Sequence, residues 1–331
     1  MKLIVQIPCF NEEHTLPQTV ADIPRQIEGV DEVRILVIDD GSTDATVAVA
    51  ERLGVDYVVR NPNNRGLART FRTGVDACLR LGADIIVNVD GDNQYHGHDI
   101  PRLIQPILEE QVEIVVGDRQ TQTVTQFSPV KRFLQRLGSA VVRRLSGLDV
   151  PDAVSGFRAI SRTAALRLNI VSPFSYTIEM LIQAGKKHMA VTSVPVRTNP
   201  VTRESRLFRS LPRFIERSLT TMIRMYAMYQ PLRVFFFIGS IFMAIGMIPI
   251  VRFLYFYFLG RGDGHIQSLI LGGVLVMMGF VTYLIGLVAD LISFNRQLQE
   301  MTLERVRQME LLLLEQETAH MHKPAPDVEK M

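Results

Sequence analysis

Two carboxylates, Asp90 and Asp92, flank Gly91 directly after the apolar run Ala83-Asp84-Ile85-Ile86-Val87-Asn88-Val89. A run of that kind reads as a buried strand, which places both acids at its C-terminal mouth. Their hard oxygens suit Mg2+ or Mn2+, and the glycine between them lets backbone and ligand approach closely. The chemistry in view is a divalent cation shared with a diphosphate. An isolated Asp-x-Asp is commonly a solvated turn, so its surroundings decide what it means. Other apolar runs here end in the same way. Pro8-Cys9-Phe10-Asn11-Glu12-Glu13 closes the first, Asp39-Asp40-Gly41-Ser42-Thr43-Asp44 the second, and Asn61-Pro62-Asn63-Asn64-Arg65-Gly66 the third. Any one of these reads as a helix cap, with Ser42 or Thr43 the expected N-cap ahead of Ala45. Gathered on one sheet edge, they imply a single shared site.

The elements that must position these residues alternate. Strands are predicted at Lys2 to Ile7, Val33 to Ile38, Tyr57 to Val59, Ile85 to Val89 and Glu113 to Val116. Helices are predicted between them, at Leu16 to Ile27, Ala45 to Leu53, Leu67 to Leu81 and Asp99 to Glu110. That rhythm is α/β, with a mostly parallel sheet covered by helices on both faces. Further on, Gly117-Asp118-Arg119 follows the fifth strand, and Lys131-Arg132 opens a helix to about Leu145. Ser155-Gly156-Phe157-Arg158 turns into another strand, Ser175-Tyr176-Thr177-Ile178-Glu179 starts a helix, and Thr192 to Val196 is the last strand.

The 331 residues are 47% apolar, enough for a sizeable core and something more. Val234 to Leu259 carries Arg252 as its only charge, and Ser268 to Ala289 carries none. At about 1.5 Å per residue each is long enough to span a bilayer, and the short Gly260 to Gln267 link makes them a hairpin. Arg224 and Arg233 precede it, and Arg296, Arg305 and Arg307 follow. By the positive-inside rule both ends, and the N-terminal domain, are expected in the cytoplasm. Arg206, Arg209, Arg213, Arg217 and Arg224 fall along one helical face opposite Leu207, Phe208, Leu211, Phe214, Ile215 and Met222, as in an interfacial membrane helix. Asn295 to Glu315 reads as an amphipathic, charge-rich cytosolic helix suited to self-association, and His320 to Met331 as a flexible tail. The expected divisions are 1–205 catalytic, 206–232 juxtamembrane, 233–293 membrane hairpin and 294–331 cytosolic. No signal peptide is apparent, because the apolar start runs straight into Asn11-Glu12-Glu13-His14. Cys9 and Cys78 provide neither a disulfide framework nor a zinc cluster, and the His96, His98 pair reads as ordinary surface. The net charge of +2 is uninformative.

Taken together, the motifs Pro8 to Glu13, Asp39 to Asp44, Asp90-Gly91-Asp92-Asn93-Gln94 and Ser155-Gly156-Phe157-Arg158 resemble a known family. It is the membrane-bound glycosyltransferase family 2 of the dolichol-phosphate mannose synthase and polyprenyl-phosphate glucosyltransferase type. The likeness covers about Met1 to Arg206 and implies a GT-A nucleotide-sugar-binding fold, followed here by a two-helix transmembrane hairpin. It implies that Pro8, Asn11, Glu12, Asp39 and Asp40 line the nucleotide pocket. Asp90 would then sit near ribose or metal, with Asp92 and Gln94 as chief metal ligands. Arg119 and Lys131 or Arg132 match positions that hold an acceptor lipid phosphate, and Glu179 an acidic position near sugar and metal. Arg203 with Arg206 resembles a juxtamembrane pair on the donor pyrophosphate. Asp92, Arg119 and Glu179 are therefore the expected catalytic residues. Two departures are Tyr95-His96-Gly97-His98 after Gln94, and the absence of an acidic neighbour beside Glu179.

The resemblance implies an inverting, Mg2+- or Mn2+-dependent transfer of a sugar from a nucleotide-diphosphate sugar, GDP-mannose or a UDP-sugar, to a polyprenyl phosphate. Membrane lipids and a second copy of the chain are the other expected partners, with no nucleic acid. The alternatives are a family 2 transferase acting on a lipid or carbohydrate hydroxyl, and a non-catalytic nucleotide-binding membrane scaffold. Processive synthases resemble one another in Gln-x-x-Arg-Trp, whereas this chain has no Trp. A nucleotidyltransferase lacks support because no phosphate-cradling glycine-rich segment opens the chain.

Overall fold

The computed structural model describes residues 1–120, 139–140, 142–171, 176–199, 216, 220, 223–224, 226–260 and 263–321. Lys131, Arg132, Arg203 and Arg206 lie outside these residues, as do most of the 206–224 segment and the tail from 322. Two compact units are present, Met1–Met222 with Thr302–Met331, and Ile223–Met301.

In the first unit, seven strands form one sheet: β1 (Lys2–Cys9), β2 (Glu32–Asp39), β3 (Tyr57–Arg60), β4 (Ile85–Asn88), β5 (Ile114–Asp118), β6 (Arg158–Ser161) and β7 (Val191–Pro195). Their order is β3-β2-β1-β4-β6-β5-β7. Only β6 runs antiparallel, between β4 and β5; the remaining pairs are parallel. The central strands are continuous apolar runs because parallel sheets are covered on both faces, and Leu3, Ile4, Val5 and Ile7 are wholly buried. Covering helices are α1 (Leu16–Ala21), α2 (Thr46–Arg52), α3 (Leu67–Arg80), α4 (Ile100–Leu108), α5 (Arg162–Arg167) and α6 (Tyr176–Lys186). The first helix stops six residues short of the expected Ile27, since Pro24 disfavours helical backbone just before it. The fourth is preceded by a 3-10 turn, Gly97–Asp99, and ends before Glu110, which has φ 56°. At α2 neither Ser42 nor Thr43 is the cap. The N-cap is Ala45, which has no side-chain cap; its amide goes to Glu13 Oε2 at 2.9 Å and that of Thr46 to Asp44 Oδ1 at 3.0 Å, while Ser42 Oγ accepts from Asn11 N at 2.9 Å.

The second unit holds α7 (Pro231–Phe258) and the start of α8 (Ile266–Met321), both long and apolar enough to cross a membrane. The helices meet along glycines spaced seven residues, two turns, apart. A Cβ on Gly272 would lie 2.7 Å from Gly246 O, and one on Gly279 2.9 Å from Gly239 O. Ser240 and Tyr283 hydroxyls bond at 2.8 Å beside this seam, while Phe237, Ile248 and Met277 face outward. Backbone contact through small residues is how helices associate where no hydrophobic effect drives them together. Gly279→Leu should therefore wedge the pair apart, costing about 1–3 kcal/mol as overpacking does. Gly273→Leu, with nothing within 4 Å of its Cβ, should leave the unfolding midpoint in detergent unchanged.

The second apolar stretch and the segment from Asn295 to Glu315 lie on one continuous helix, α8. No Gly or Pro occurs after Gly286 in it to interrupt the pattern. Its last turns belong to the first unit. Arg307 donates to Leu168 O at 3.0 Å and pairs with Asp76 at 3.3 Å, Glu310 pairs with Arg80 at 2.8 Å, and Leu311 is buried. One face of that segment is thus committed within the chain.

Candidate active site

Strand register brings the motif residues to one edge. Cys9 is level with Asp39, Asp39 with Arg60, Gln6 with Asn88, and Asn88 with Arg158. From β1 the chain builds outward to β2 and β3 on one side and to β4 on the other. Ligands in such sheets bind beyond the carboxyl ends at this reversal point.

The first three loops are joined through their own polar groups. Asn11, at φ 55°, accepts from Thr43 N at 2.9 Å, and Glu12 N donates to Thr46 Oγ1 at 2.8 Å. Glu12 Oε2 takes the Thr15 hydroxyl at 2.8 Å, and the same hydroxyl reaches Gly91 O at 2.8 Å, linking the β1 loop to the β4 loop. Pro8 lies at the same junction: its carbonyl would be 3.3 Å from a Cβ on Gly91. Asp40 ties in the third loop, accepting from Asn61 Nδ2 at 3.1 Å, Arg65 N at 2.9 Å and Gly66 N at 2.9 Å. Its neighbour Asp39 differs. Oδ1 accepts Ser42 N at 3.0 Å, whereas buried Oδ2 has no hydrogen bond and lies 3.5 Å from Arg60 Nε. Asp40 therefore builds the loops, while Asp39 retains acceptor capacity.

In the β4 loop, Asp92 Oδ1 accepts Gln94 N at 3.2 Å, and Gln94 O accepts Asn199 N at 3.0 Å. Asp90 Oδ1 is enclosed and accepts no hydrogen bond. Burial, reinforced by the charge of Asp92, pushes the Asp90 carboxyl up to about 7, against the opposing influence of Arg119 and Arg158. Two adjacent carboxylates, one with an unsatisfied oxygen, suit a hard cation that takes its other ligands from water and a diphosphate. Among the described residues, no group of three or more His, Cys, Asp or Glu side chains is placed so that it could hold a metal ion.

The sign of the proton linkage follows. A raised carboxyl pKa favours the protonated apo fold, a stabilisation complete below the ordinary carboxylate range and lost as pH rises through about 7. A cation needs the ionised form, so its affinity changes in the opposite direction. If Asp90 is a ligand, Mn2+ should bind about tenfold more weakly at pH 6 than at pH 8, as one competing proton requires. Titration by electron paramagnetic resonance reads this directly, and an affinity flat across that range would remove Asp90 from the ligand set.

Arg119 and Asp152 form a two-point pair, Nε to Oδ2 at 2.7 Å and Nη2 to Oδ1 at 3.0 Å, with Arg119 6.0 Å from the Tyr95 ring centroid. Burial works against ionised Asp152, but Arg119 holds its carboxyl below the usual range. Glu179 is wholly buried, and its Oε1 accepts from Val171 N at 3.0 Å and Gln183 Nε2 at 3.2 Å, which ties α6 to the preceding loop. His96 and His98 rings meet edge-on, 5.2 Å apart.

Several residues at this edge had no assigned role in the sequence reading. Asn88 donates to Gly156 O at 2.9 Å and Tyr176 OH at 3.0 Å while accepting from Gln6 at 2.9 Å. Gly156 presses on Asp90, where an added Cβ would be 2.5 Å from Oδ2. Arg158 is fully buried, its guanidinium drawn down to about 10 by burial and thus still charged at neutral pH. A polar Asn inside the apolar run Ile85 to Val89 was a legible signal. Asp152 gave none, since its partner is 33 residues away.

Residues 4–168 match Glycosyl transferase family 2. The chain is 30% identical over 217 residues to the UDP-N-acetylglucosamine–dolichyl-phosphate N-acetylglucosaminyltransferase of Methanococcus voltae, covering 58% of this chain and 83% of that one. It is 26% identical over 206 residues to the polyprenol monophosphomannose synthase of Mycolicibacterium smegmatis, covering 59% and 76%. Among solved structures, the glucosyl-3-phosphoglycerate synthase of Mycobacterium tuberculosis with Mn2+, UDP-glucose and phosphoglyceric acid is similar at a TM-score of 0.55. That match has 22% identity and covers 68% of this chain and 80% of the other, which is a likeness of fold.

Proposed function

The chain belongs to glycosyl transferase family 2, with a GT-A fold, and from that premise we propose that it moves a sugar from a nucleotide-diphosphate sugar to a polyprenyl phosphate at the cytosolic face of a membrane. The observation that carries this reading is the presence, on one sheet edge, of both the unsatisfied Asp90 oxygen and the largely buried Arg119 cation held by Asp152. One suits the metal on a diphosphate, the other a second phosphate. The named relatives support the acceptor class, and the two long apolar helices support the membrane address.

In this reading Asp90, Asp92 and Gln94 hold Mg2+ or Mn2+, while Pro8, Asn11, Glu12, Asp39, Asp40, Arg203 and Arg206 form the donor site. Arg119, Lys131 and Arg132 hold the acceptor phosphate. When bound, the cation supplies charge that offsets what develops on the leaving diphosphate. An acceptor phosphate oxygen attacks the anomeric carbon as the bond to the nucleoside diphosphate breaks, inverting the configuration. A phosphate monoester has a second pKa of about 6, so it arrives already anionic and needs no strong base. That agrees with Glu179 being engaged with Val171 and Gln183.

The test is transfer from radiolabelled GDP- and UDP-sugars to undecaprenyl phosphate in detergent with Mg2+ or Mn2+. One donor giving an organic-extractable product is expected, with Arg119→Ala raising the KM for the lipid phosphate. Donor binding without lipid product would move the assignment to a hydroxyl acceptor or a scaffold.

A further inference from the structure

A buried arginine with no carboxylate bonded to it is an expensive residue to keep, because its charge gives up hydration for neutral partners. Arg158 is such a residue. Nε donates to Ser155 O at 2.8 Å, Nη2 to Ala153 O at 2.8 Å and Nη1 to Thr177 O at 2.8 Å. Three carbonyls are thereby fixed by one planar fork, something a point charge on a flexible stem cannot do. Two of them belong to the five-residue turn 152–156, which is held at its other groups as well. Gly156 N donates to Tyr95 OH at 2.9 Å, Gly156 O accepts from Asn88 at 2.9 Å, and Ser155 N donates to Asp152 O at 3.3 Å. Tyr95 is itself fixed by stacking on Phe157 with ring centroids 5.2 Å apart.

What this turn touches gives the clamp a purpose. Its first residue, Asp152, grips the Arg119 guanidinium, and its last, Gly156, abuts the Asp90 carboxylate. We propose that the 152–156 turn is a rigid spacer, clamped by Arg158 and Tyr95, that fixes the separation between the Arg119 cation and the Asp90 carboxylate. Arg158 and Tyr95 are then positioning residues for both halves of the reaction. This rests on the reading of Asp90 as a metal ligand and Arg119 as the acceptor-phosphate cation. Transfer between two anionic groups depends on their being held at a set distance, since a displacement of about 1 Å costs on the order of 10²-fold in rate.

The full-length protein in detergent tests this through Tyr95→Phe, which removes one oxygen and keeps the stacking ring, and Arg158→Lys, which keeps the charge and loses the fork. Mn2+ affinity is read by electron paramagnetic resonance, and kcat and KM with undecaprenyl phosphate and whichever donor the panel identifies. In both variants Mn2+ affinity should fall about tenfold. At saturating Mn2+, kcat should fall about tenfold with donor KM within about twofold, the pattern of lost transition-state geometry. Wild-type Mn2+ affinity and kcat in Tyr95→Phe would overturn the proposal, as would full function in Arg158→Lys, which would mean that charge alone suffices. If Arg158→Lys does not fold, Tyr95→Phe decides. If the wild type turns over no donor, the transfer reading fails by itself, and the Mn2+ affinities still decide the spacer.

Discussion

Asp92→Ala is expected to lower sugar transfer by about 10²–10³-fold, the range for losing a preorganised electrostatic contact to developing charge. The fold should survive it. Asp92 is half-buried at a loop, and its described hydrogen bond is to Gln94 N at 3.2 Å, so the stability cost is about 0.5–1.5 kcal/mol. Two measurements separate catalysis from folding. Radiolabel transfer to undecaprenyl phosphate reads the first, and thermal unfolding with and without Mn2+ reads the second. Ligand stabilisation follows RT ln(1 + [L]/Kd), so at a hundred times Kd the wild type should gain about 2.7 kcal/mol and the variant far less. A variant that kept the full Mn2+ stabilisation would place the cation elsewhere.

The second large effect is expected from Gly156→Ala. An added Cβ would stand 2.5 Å from Asp90 Oδ2 and 2.9 Å from Oδ1. These atoms end a side chain rather than a backbone segment, so the carboxylate moves and the sheet does not. Activity and Mn2+ affinity should each fall about 10–100-fold, as when a metal ligand loses its orientation, while the unfolding midpoint shifts little. Loss of the cooperative unfolding transition would instead mark Gly156 as a folding requirement. Wild-type Mn2+ binding would show that Asp90 has room that the static packing hides.

The sheet was largely legible. Strands of four to eight residues were placed to within one or two positions, because burial on both faces leaves a continuous apolar run ending at polar loop residues. Antiparallel β6 was legible only as a strand following Ser155-Gly156-Phe157. Its insertion between β4 and β5 depends on register with residues about 70 positions earlier. The start of α2 departs from the expected cap because other side chains take its first amides, Glu13 that of Ala45 and Asp44 that of Thr46, while Ser42 serves a cross-loop bond. Likewise the continuity of α8 follows from what is absent, Gly and Pro after Gly286, whereas its docking through Arg307 is a tertiary event.

By itself the sequence determined which chemistry the chain carries: carboxylates, amides and glycines at strand ends, cations beyond them, and two apolar stretches of membrane length. Those follow from residue type and spacing, which are local. Only the tertiary structure decided which of these groups remain available. Asp40, identical in type to Asp39 and adjacent to it, has both oxygens bonded within the third loop, whereas Asp39 and Asp90 each keep one enclosed oxygen without a hydrogen bond. Burial and partner are properties of the space around a side chain. Residues such as Asp152, Gly156 and Arg158, distant from Asp90 in sequence, supply that space only when the sheet brings them to one edge.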